Sequence, residues 1–299
     1  MDAGARGVEP VSFRTYHEVE GRDRSGLGEQ VAGQRARVTN RLRTVARTIA
    51  VMSGKGGVGK SYIASALALG MAARLRGGVG LLDADLNSPT ASRLLGARGP
   101  LRVDADGVHP AVVQPNVKVM SMDLLLDEGQ PISWRQPAGE RFVWRGLLET
   151  GALRELLGDV AWQSLEVLIV DLPPGGDRLS DLFELVPQLT GAIVVTIPSE
   201  ESRASVERSI RTAQELGVPL LGIVENMSGY ACDTCGRTRP LFDGRAGTAL
   251  AEMFGIPLLG SVPFHPVNDQ RPQLELPASV VDAVMASVMI AQPPQVPPS

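Results

Sequence analysis

Residues 53 to 61 read Ser53-Gly54-Lys55-Gly56-Gly57-Val58-Gly59-Lys60-Ser61, and a second constellation, Cys232-Asp233-Thr234-Cys235, contains both cysteines of the chain. The first satisfies GxxxxGK[ST] through Gly54, Gly59, Lys60 and Ser61, the spacing of a phosphate-binding loop. Glycines let successive backbone N–H groups converge on one point, and a helix that follows adds the positive end of its dipole. A triphosphate suits such a cradle, with Gly54, Lys55, Gly56, Gly57, Val58, Gly59, Lys60 and Ser61 around it. Lys60 is expected to reach the β- and γ-phosphates, and the Ser61 hydroxyl to ligate Mg²⁺.

Acidic residues stand where such a loop would use them. Val79 to Asp83 is a strand candidate ending in Asp83-Ala84-Asp85, and Glu166 to Asp171 is another, followed by Leu-Pro-Pro-Gly-Gly and Asp177. A carboxylate at a neighbouring strand end can hold the water around Mg²⁺, and one in a loop can orient the attacking water. Asp171 is assigned to Mg²⁺ and Asp85 to the water, with Asp83 in support. Helix capping is the alternative for Asp85, because Asn87-Ser88-Pro89 follows it.

Lys55 is a second lysine in a cradle where one already neutralises the terminal phosphate. The string KGGxGKS resembles the signature of the deviant Walker A ATPases, the group of MinD, ParA and the nitrogenase iron protein. In that group the early lysine reaches the partner subunit's nucleotide, which implies an ATP-dependent sandwich homodimer with Lys55 acting across it. A solvated loop lysine is the alternative.

The cysteine pair, followed by Gly236, has the form of a metal knuckle, whose turn aims both sulfurs at one ion. Zinc and cubane clusters usually take four donors, and His17, His109 and His265 are distant in sequence. Two copies giving two thiolates each would complete the set, which agrees with the dimer inferred from Lys55. A dithiol redox pair and an inert surface turn are the competing readings.

These groups must be positioned by an alternation of strands and helices. Strand candidates are 48–52, 79–83, 117–121, 166–171, 192–197, 220–225 and 258–262, mostly continuous apolar runs as strands covered on both faces require. Helical stretches at 62–75, 146–157, 201–216 and 246–254 separate several of them. The expected fold is α/β, a doubly wound, mainly parallel sheet of P-loop NTPase (SIMIBI-type) topology, with ligands beyond the carboxyl ends of the strands. A flexible leader over 1–27, an ATPase domain over 28–277 with a CxxC insert near 229–243, and a C-terminal helix with a proline-rich tail over 278–299 complete the division.

The chain has 299 residues, 43% of them hydrophobic, and a net charge of -4. That is enough for one large core, and the lack of a dense basic block outside 35–47 argues against nucleic acid as a partner. The start carries no basic and apolar signal segment, and no apolar run is long enough to cross a bilayer, so a cytoplasmic protein with no membrane partner is expected. The segment from Ala278 to Ala291 holds one aspartate and no Lys or Arg, which favours docking on the domain over a membrane surface.

With the loop, DLPPGGD, VENMSGYACDTCG and PLLGSVPFHP in view, the chain resembles the Mrp/ApbC family of iron-sulfur cluster carrier ATPases from about Thr48 to Leu276. The resemblance implies an ATP-hydrolysing homodimer that holds a [4Fe-4S] cluster between its Cys232 and Cys235 pairs and passes it to recipient apo iron-sulfur proteins. It also places Asn226 where related ATPases contact adenine, a loop cap being the alternative. DLPPGGD is one residue shorter than the family's DLPPGTGD, DADLNSPT stands for DADxYGPS, and Arg135 to Val143 looks like an insertion. A positional or partner-switching ATPase of the MinD and ParA kind, with zinc or nothing at the cysteines, is the alternative function. An electron-transfer ATPase like the nitrogenase iron protein is a third.

Overall fold

Strands without a polar face need cover on both sides, and here the intervening helices supply it. The computed structural model describes residues 27–114, 116–125, 141–232, 234–235, 237–264 and 274–291. The leader up to residue 26, the stretch 126–140 that includes most of the insertion, and the proline-rich end lie outside the described residues.

Helix α1 (Leu27–Leu42) precedes β1 (Thr48–Ser53), α2 (Lys60–Ala72), β2 (Val79–Asp83) and the short α3 (Ala91–Leu95). Four short strands follow, β3 (Val103–Asp104), β4 (Gly107–Val108), β5 (Ala111–Gln114) and β6 (Val117–Met120). Next come α4 (Arg141–Gly158), β7 (Val167–Asp171), α5 (Asp177–Leu185), β8 (Gly191–Thr196) and α6 (Glu200–Glu215). The described chain ends with β9 (Leu220–Ala231), β10 (Thr238–Arg239), α7 (Ala246–Phe254), β11 (Leu258–Phe264) and α8 (Ala278–Ile290).

The main sheet runs β10-β9-β8-β1-β7-β2-β6-β5, with β11 also paired to β9. The pairs joining β8, β1, β7, β2 and β6 are parallel, as are β8–β9 and β9–β11, whereas β5 and β10 add antiparallel edges. The mostly parallel sheet flanked by helices is the doubly wound fold that the alternation implies. Successive side chains of a strand point to opposite faces, and the core divides accordingly. Ala50, Met52, Leu168 and Val170 meet Leu157, Leu182, Val206 and Ile210 on one face. Ile49, Val51, Val167 and Ile169 meet Ile63, Leu67 and Met71 of α2 on the other.

Helix α8 lies on that second face. Val280, Val281, Val284 and Val288 are buried, Arg74 pairs with Asp282 at 2.7 Å, and a Cβ on Gly70 of α2 would sit 2.9 Å from Val281. Its apolar stripe is thereby covered by the protein's own core. No helix among the described residues is long and apolar enough to span a membrane.

Two features depart from the sequence expectation. Strand β9 continues six residues past the expected end at 225 to Ala231, because β11 runs alongside it as far as the Tyr230–Phe264 pair and β10 pairs with Tyr230 and Ala231. Helices α3 and α5 also follow the two acidic strand ends, outside the helical stretches expected from the sequence. Asp177 is the first residue of α5.

Candidate nucleotide site and thiol hairpin

Strand β1 delivers the chain into the loop at Ser53, whose carbonyl accepts from the Gly175 N–H at 2.9 Å and whose hydroxyl donates to the Lys55 carbonyl at 3.1 Å. The phosphate loop and the loop after β7 are thus tied together at their roots. Gly59, the N-cap of α2, has φ 81°, a left-handed conformation that strongly favours glycine. A Cβ there would lie 2.2 Å from the Asn226 amide nitrogen, and one on Gly54 would lie 2.4 Å from the backbone of Ser205 in α6. The loop is therefore held between β9 and α6 with its first-turn N–H groups facing the cradle, the arrangement an anion requires.

Lys60 is almost fully buried, and its Nζ contacts Asp171 Oδ1 at 2.5 Å and Ser61 Oγ at 3.3 Å. Asp171 itself is wholly buried, and its Oδ2 has no hydrogen-bond partner among the described residues. An orphaned carboxylate oxygen beside a lysine and a serine hydroxyl matches the donor set that Mg²⁺ and a phosphate would complete. Burial pushes the Asp171 carboxyl up from the usual carboxylate range, while the Lys60 ammonium and the Ser61 hydroxyl pull it back.

Strands β2 and β7 run in register, so Asp83 and Asp171 are paired neighbours. Asp83 is buried, and its pKa is pushed up to about 7, first by desolvation and then by the Asp171 charge. Three N–H groups oppose that rise. Oδ2 accepts from Thr90 at 2.8 Å and Ala91 at 2.9 Å, and Oδ1 from Asp85 at 3.1 Å. Asp83 therefore caps the start of α3 and fixes the fold-back of the 84–90 loop. Asp85 is half-buried, and its Oδ1 accepts from the Ser88 N–H at 3.2 Å, a local turn contact, while the helix-capping contacts weighed for it from the sequence are made by Asp83 instead.

Lys55 is half-buried. It lies close enough to Glu201 to help lower that carboxyl, after Glu201's own backbone N–H and the Ser199 hydroxyl. Asn226 is 5% exposed, and its amide donates to the Val58 carbonyl at 2.9 Å. In this structure it braces the phosphate loop, which is the capping alternative for that residue.

The cysteines sit at the tip of the β9–β10 hairpin. Ala231 pairs with Thr238 and Tyr230 with Arg239, and the Cys232 N–H bonds the Arg237 carbonyl at 3.0 Å. Both thiols are free, Cys232 partly buried and Cys235 exposed. The Cys235 and Thr234 backbone N–H groups, and the Cys235 thiol, lower the Cys232 pKa. N–H groups turned onto a sulfur are what a thiolate ligand in a knuckle needs. No cluster of three or more His, Cys, Asp or Glu with metal-holding geometry exists among the described residues. His109 lies next to β5, at the sheet edge opposite β10.

The sequence reading overlooked Asn87, Glu149 and Arg178, which meet beside the two acidic loops. Glu149 lies one turn before Leu153 on the buried stripe of Leu153, Leu156 and Leu157, and a charge on an apolar stripe was the available signal.

A family model described as ParA, the NUBPL iron-transfer P-loop NTPases, matches residues 44–288. The chain belongs to that family. The match takes in the phosphate loop, both acidic loops and the thiol hairpin, so the resemblance drawn from the motifs holds at family level. An iron-sulfur cluster carrier protein of Saccharolobus solfataricus is 39% identical over 82% of this chain and 80% of its own length. A cytosolic Fe-S cluster assembly factor NUBP2 homolog of Trichoplax adhaerens is 38% identical, over 77% of this chain and 84% of its own. Among solved structures, a nucleotide-binding protein of Archaeoglobus fulgidus in complex with ADP is 32% identical with a TM-score of 0.63, covering 85% of this chain and 91% of that one. As a member of the family the chain is a P-loop NTPase.

Proposed function

We propose that the protein is an ATP-dependent iron-sulfur cluster carrier that holds a [4Fe-4S] cluster between the thiols of two copies and delivers it to apo iron-sulfur proteins in the cytoplasm. The observation that carries this reading is the course of β9. One strand runs from Asn226, bonded to the phosphate loop, through an irregularity at Met227 to Ala231, next to Cys232 at the exposed tip. The nucleotide and the cargo are thus joined by a single element. The relatives named as carriers support this function over a positional ATPase of the MinD kind.

In the hydrolytic half, the Lys60–Asp171 contact is exchanged. Lys60 would move its charge to the β- and γ-phosphate oxygens of ATP, and Ser61 with the freed Asp171 would be the residues that hold Mg²⁺. Mg²⁺ supplies charge neutralisation on the transferring phosphoryl group. Asp85 orients a water toward the γ-phosphorus. As that water's oxygen bonds to phosphorus, the bond to the β–γ bridging oxygen breaks, leaving ADP and inorganic phosphate. Lys55 reaches the nucleotide of the second copy, Asn226 turns its remaining polar edge to adenine, and Gly54, Gly56, Gly57, Val58 and Gly59 present backbone N–H groups to the phosphates.

At the other end each chain has two sulfur donors, and a cubane cluster takes four. Two tips facing across a two-fold axis make up that number. Anaerobic reconstitution is expected to load about four iron and four sulfide per dimer. Cys235→Ala should abolish that loading and leave ATP affinity within about twofold, since the thiol is remote from the cradle. Unchanged iron content in the variant would refute the assignment of the thiols.

A further inference from the structure

The two loops that leave Asp83 and Asp171 are connected by a side chain that belongs to neither. Asn87 projects from the 84–90 loop, and Arg178 stands in the first turn of α5, directly after the 172–176 loop. Glu149 of α4, only 8% exposed, receives both. Its Oε1 accepts from Asn87 Nδ2 at 2.9 Å, and its Oε2 pairs with Arg178. Arg178 is held in turn by Asp181 Oδ2 at 2.8 Å, which also accepts from Thr150 Oγ1 at 3.2 Å. A small crevice lined by Ala84, Leu86, Leu172 and Pro173 lies between the loops beside this bridge.

We infer that Glu149 is a positioning residue for nucleotide hydrolysis, a crosslink that sets the spacing between the loop carrying Asp85 and the loop following Asp171. This rests on the ATP-hydrolysing reading above. A buried ion pair adds little stability over an apolar replacement of the same shape, but it does specify geometry. Here it defines one distance: from the group that orients water to the group that holds the metal. The anionic head also lies by the start of α5, where the helix dipole favours it. Because Glu149 touches no phosphate position, its loss should alter the chemical step and spare the binding of ADP.

The test uses the full-length protein with Mg²⁺, measuring steady-state ATP hydrolysis and ADP affinity for Glu149→Gln, Asn87→Ala and Arg178→Gln. Each variant is expected to lose about tenfold or more in kcat with ADP Kd within about twofold, as a misplaced catalytic loop does. Asn87→Ala combined with Arg178→Gln should be no worse than the poorer single variant, because both sever one bridge. Arg178→Lys should recover most of the rate. Unchanged or raised kcat in the variants, ADP affinity falling in step with kcat, or fully additive losses would each overturn the inference. Asn87 is exposed and Arg178 is at the rim, so these two variants decide the matter if Glu149→Gln does not fold. A wild-type protein that neither binds nor hydrolyses ATP would instead bring down the nucleotide reading, and the crosslink with it.

Discussion

The phosphate cradle and the thiol tip are built on opposite principles, although β9 belongs to both. At the cradle the polar side chains are tied into the framework. Lys60 sits on Asp171, Asp83 on three N–H groups, Asn226 on Val58 and Ser53 on Lys55. At the tip a two-residue strand closes the turn and Cys235 is exposed. A site that acts on a ligand entering from solvent profits from groups fixed beforehand, since fixed dipoles need no rearrangement during the reaction. A site that takes up and releases a cargo profits from accessibility, and an incomplete donor set leaves room for another molecule's ligands. The difference implies that mutations at the cradle act through the folded framework, whereas mutations at the tip act almost wholly through the cargo.

The largest break in this comparison should come from Gly59→Ala. The residue needs φ 81°, which costs a side-chain-bearing residue about 1–2 kcal/mol, and its new Cβ would displace the Asn226 amide. Nucleotide affinity should fall by about 100-fold, roughly 2.7 kcal/mol, with thermal stability lowered as well. Isothermal titration with ADP and a melting curve measure both. Wild-type affinity in this variant would mean that the loop is not held as the structure has it.

A smaller effect, and a sharper one, concerns Asp83. Its folded pKa of about 7 lies above its ordinary value of 3.8. The folded state therefore holds the proton more tightly than the unfolded chain, and this group's contribution to stability is complete below about pH 4 and is lost as pH rises to about 7. Desolvation and the neighbouring Asp171 charge are the causes. In nucleotide-free protein, Asp83→Asn should flatten the fall in stability between pH 5 and 7, by on the order of 1 kcal/mol. Urea titrations at several pH values test the slope. An unchanged slope in the variant would show that another group sets it.

How much of this was readable beforehand follows the same division. The parallel strands announce themselves as apolar runs, and the phosphate loop and cysteine pair carry their chemistry in fixed local spacing. Hidden were the contacts between segments distant in sequence. Asp83 is read from the sequence as support for Asp171 and Asp85, yet its oxygens are occupied by the Thr90, Ala91 and Asp85 N–H groups, because the loop folds back in a way no local signal records. α5 begins directly after Pro-Pro-Gly-Gly, residues that read as loop and mask a nine-residue helix. The last six residues of β9 contain Asn226, Ser228 and Gly229 and lack strand character, and they stay in the sheet because β11 pairs with Asn226 and Tyr230 and β10 with Tyr230 and Ala231, across an irregularity at Met227. The Glu149 bridge spans three elements and could be sensed only as a charge out of place.

The smallest expected effect tests the comparison from the other side. Cys235 is exposed and belongs to neither core layer, so Cys235→Ala in the cluster-free protein should change unfolding free energy by less than about 0.5 kcal/mol, as surface substitutions do. The same substitution should matter in protein reconstituted with iron and sulfide. Cargo that binds only the folded state stabilises it by RT ln(1 + [L]/Kd), about 2.7 kcal/mol at a hundredfold excess over Kd. Wild type should therefore gain a higher melting temperature on loading and the variant should not. Equal gains in both would place the stabilising cargo elsewhere than the hairpin, and a large loss in the cluster-free variant would make the tip part of the framework, erasing the contrast with the cradle.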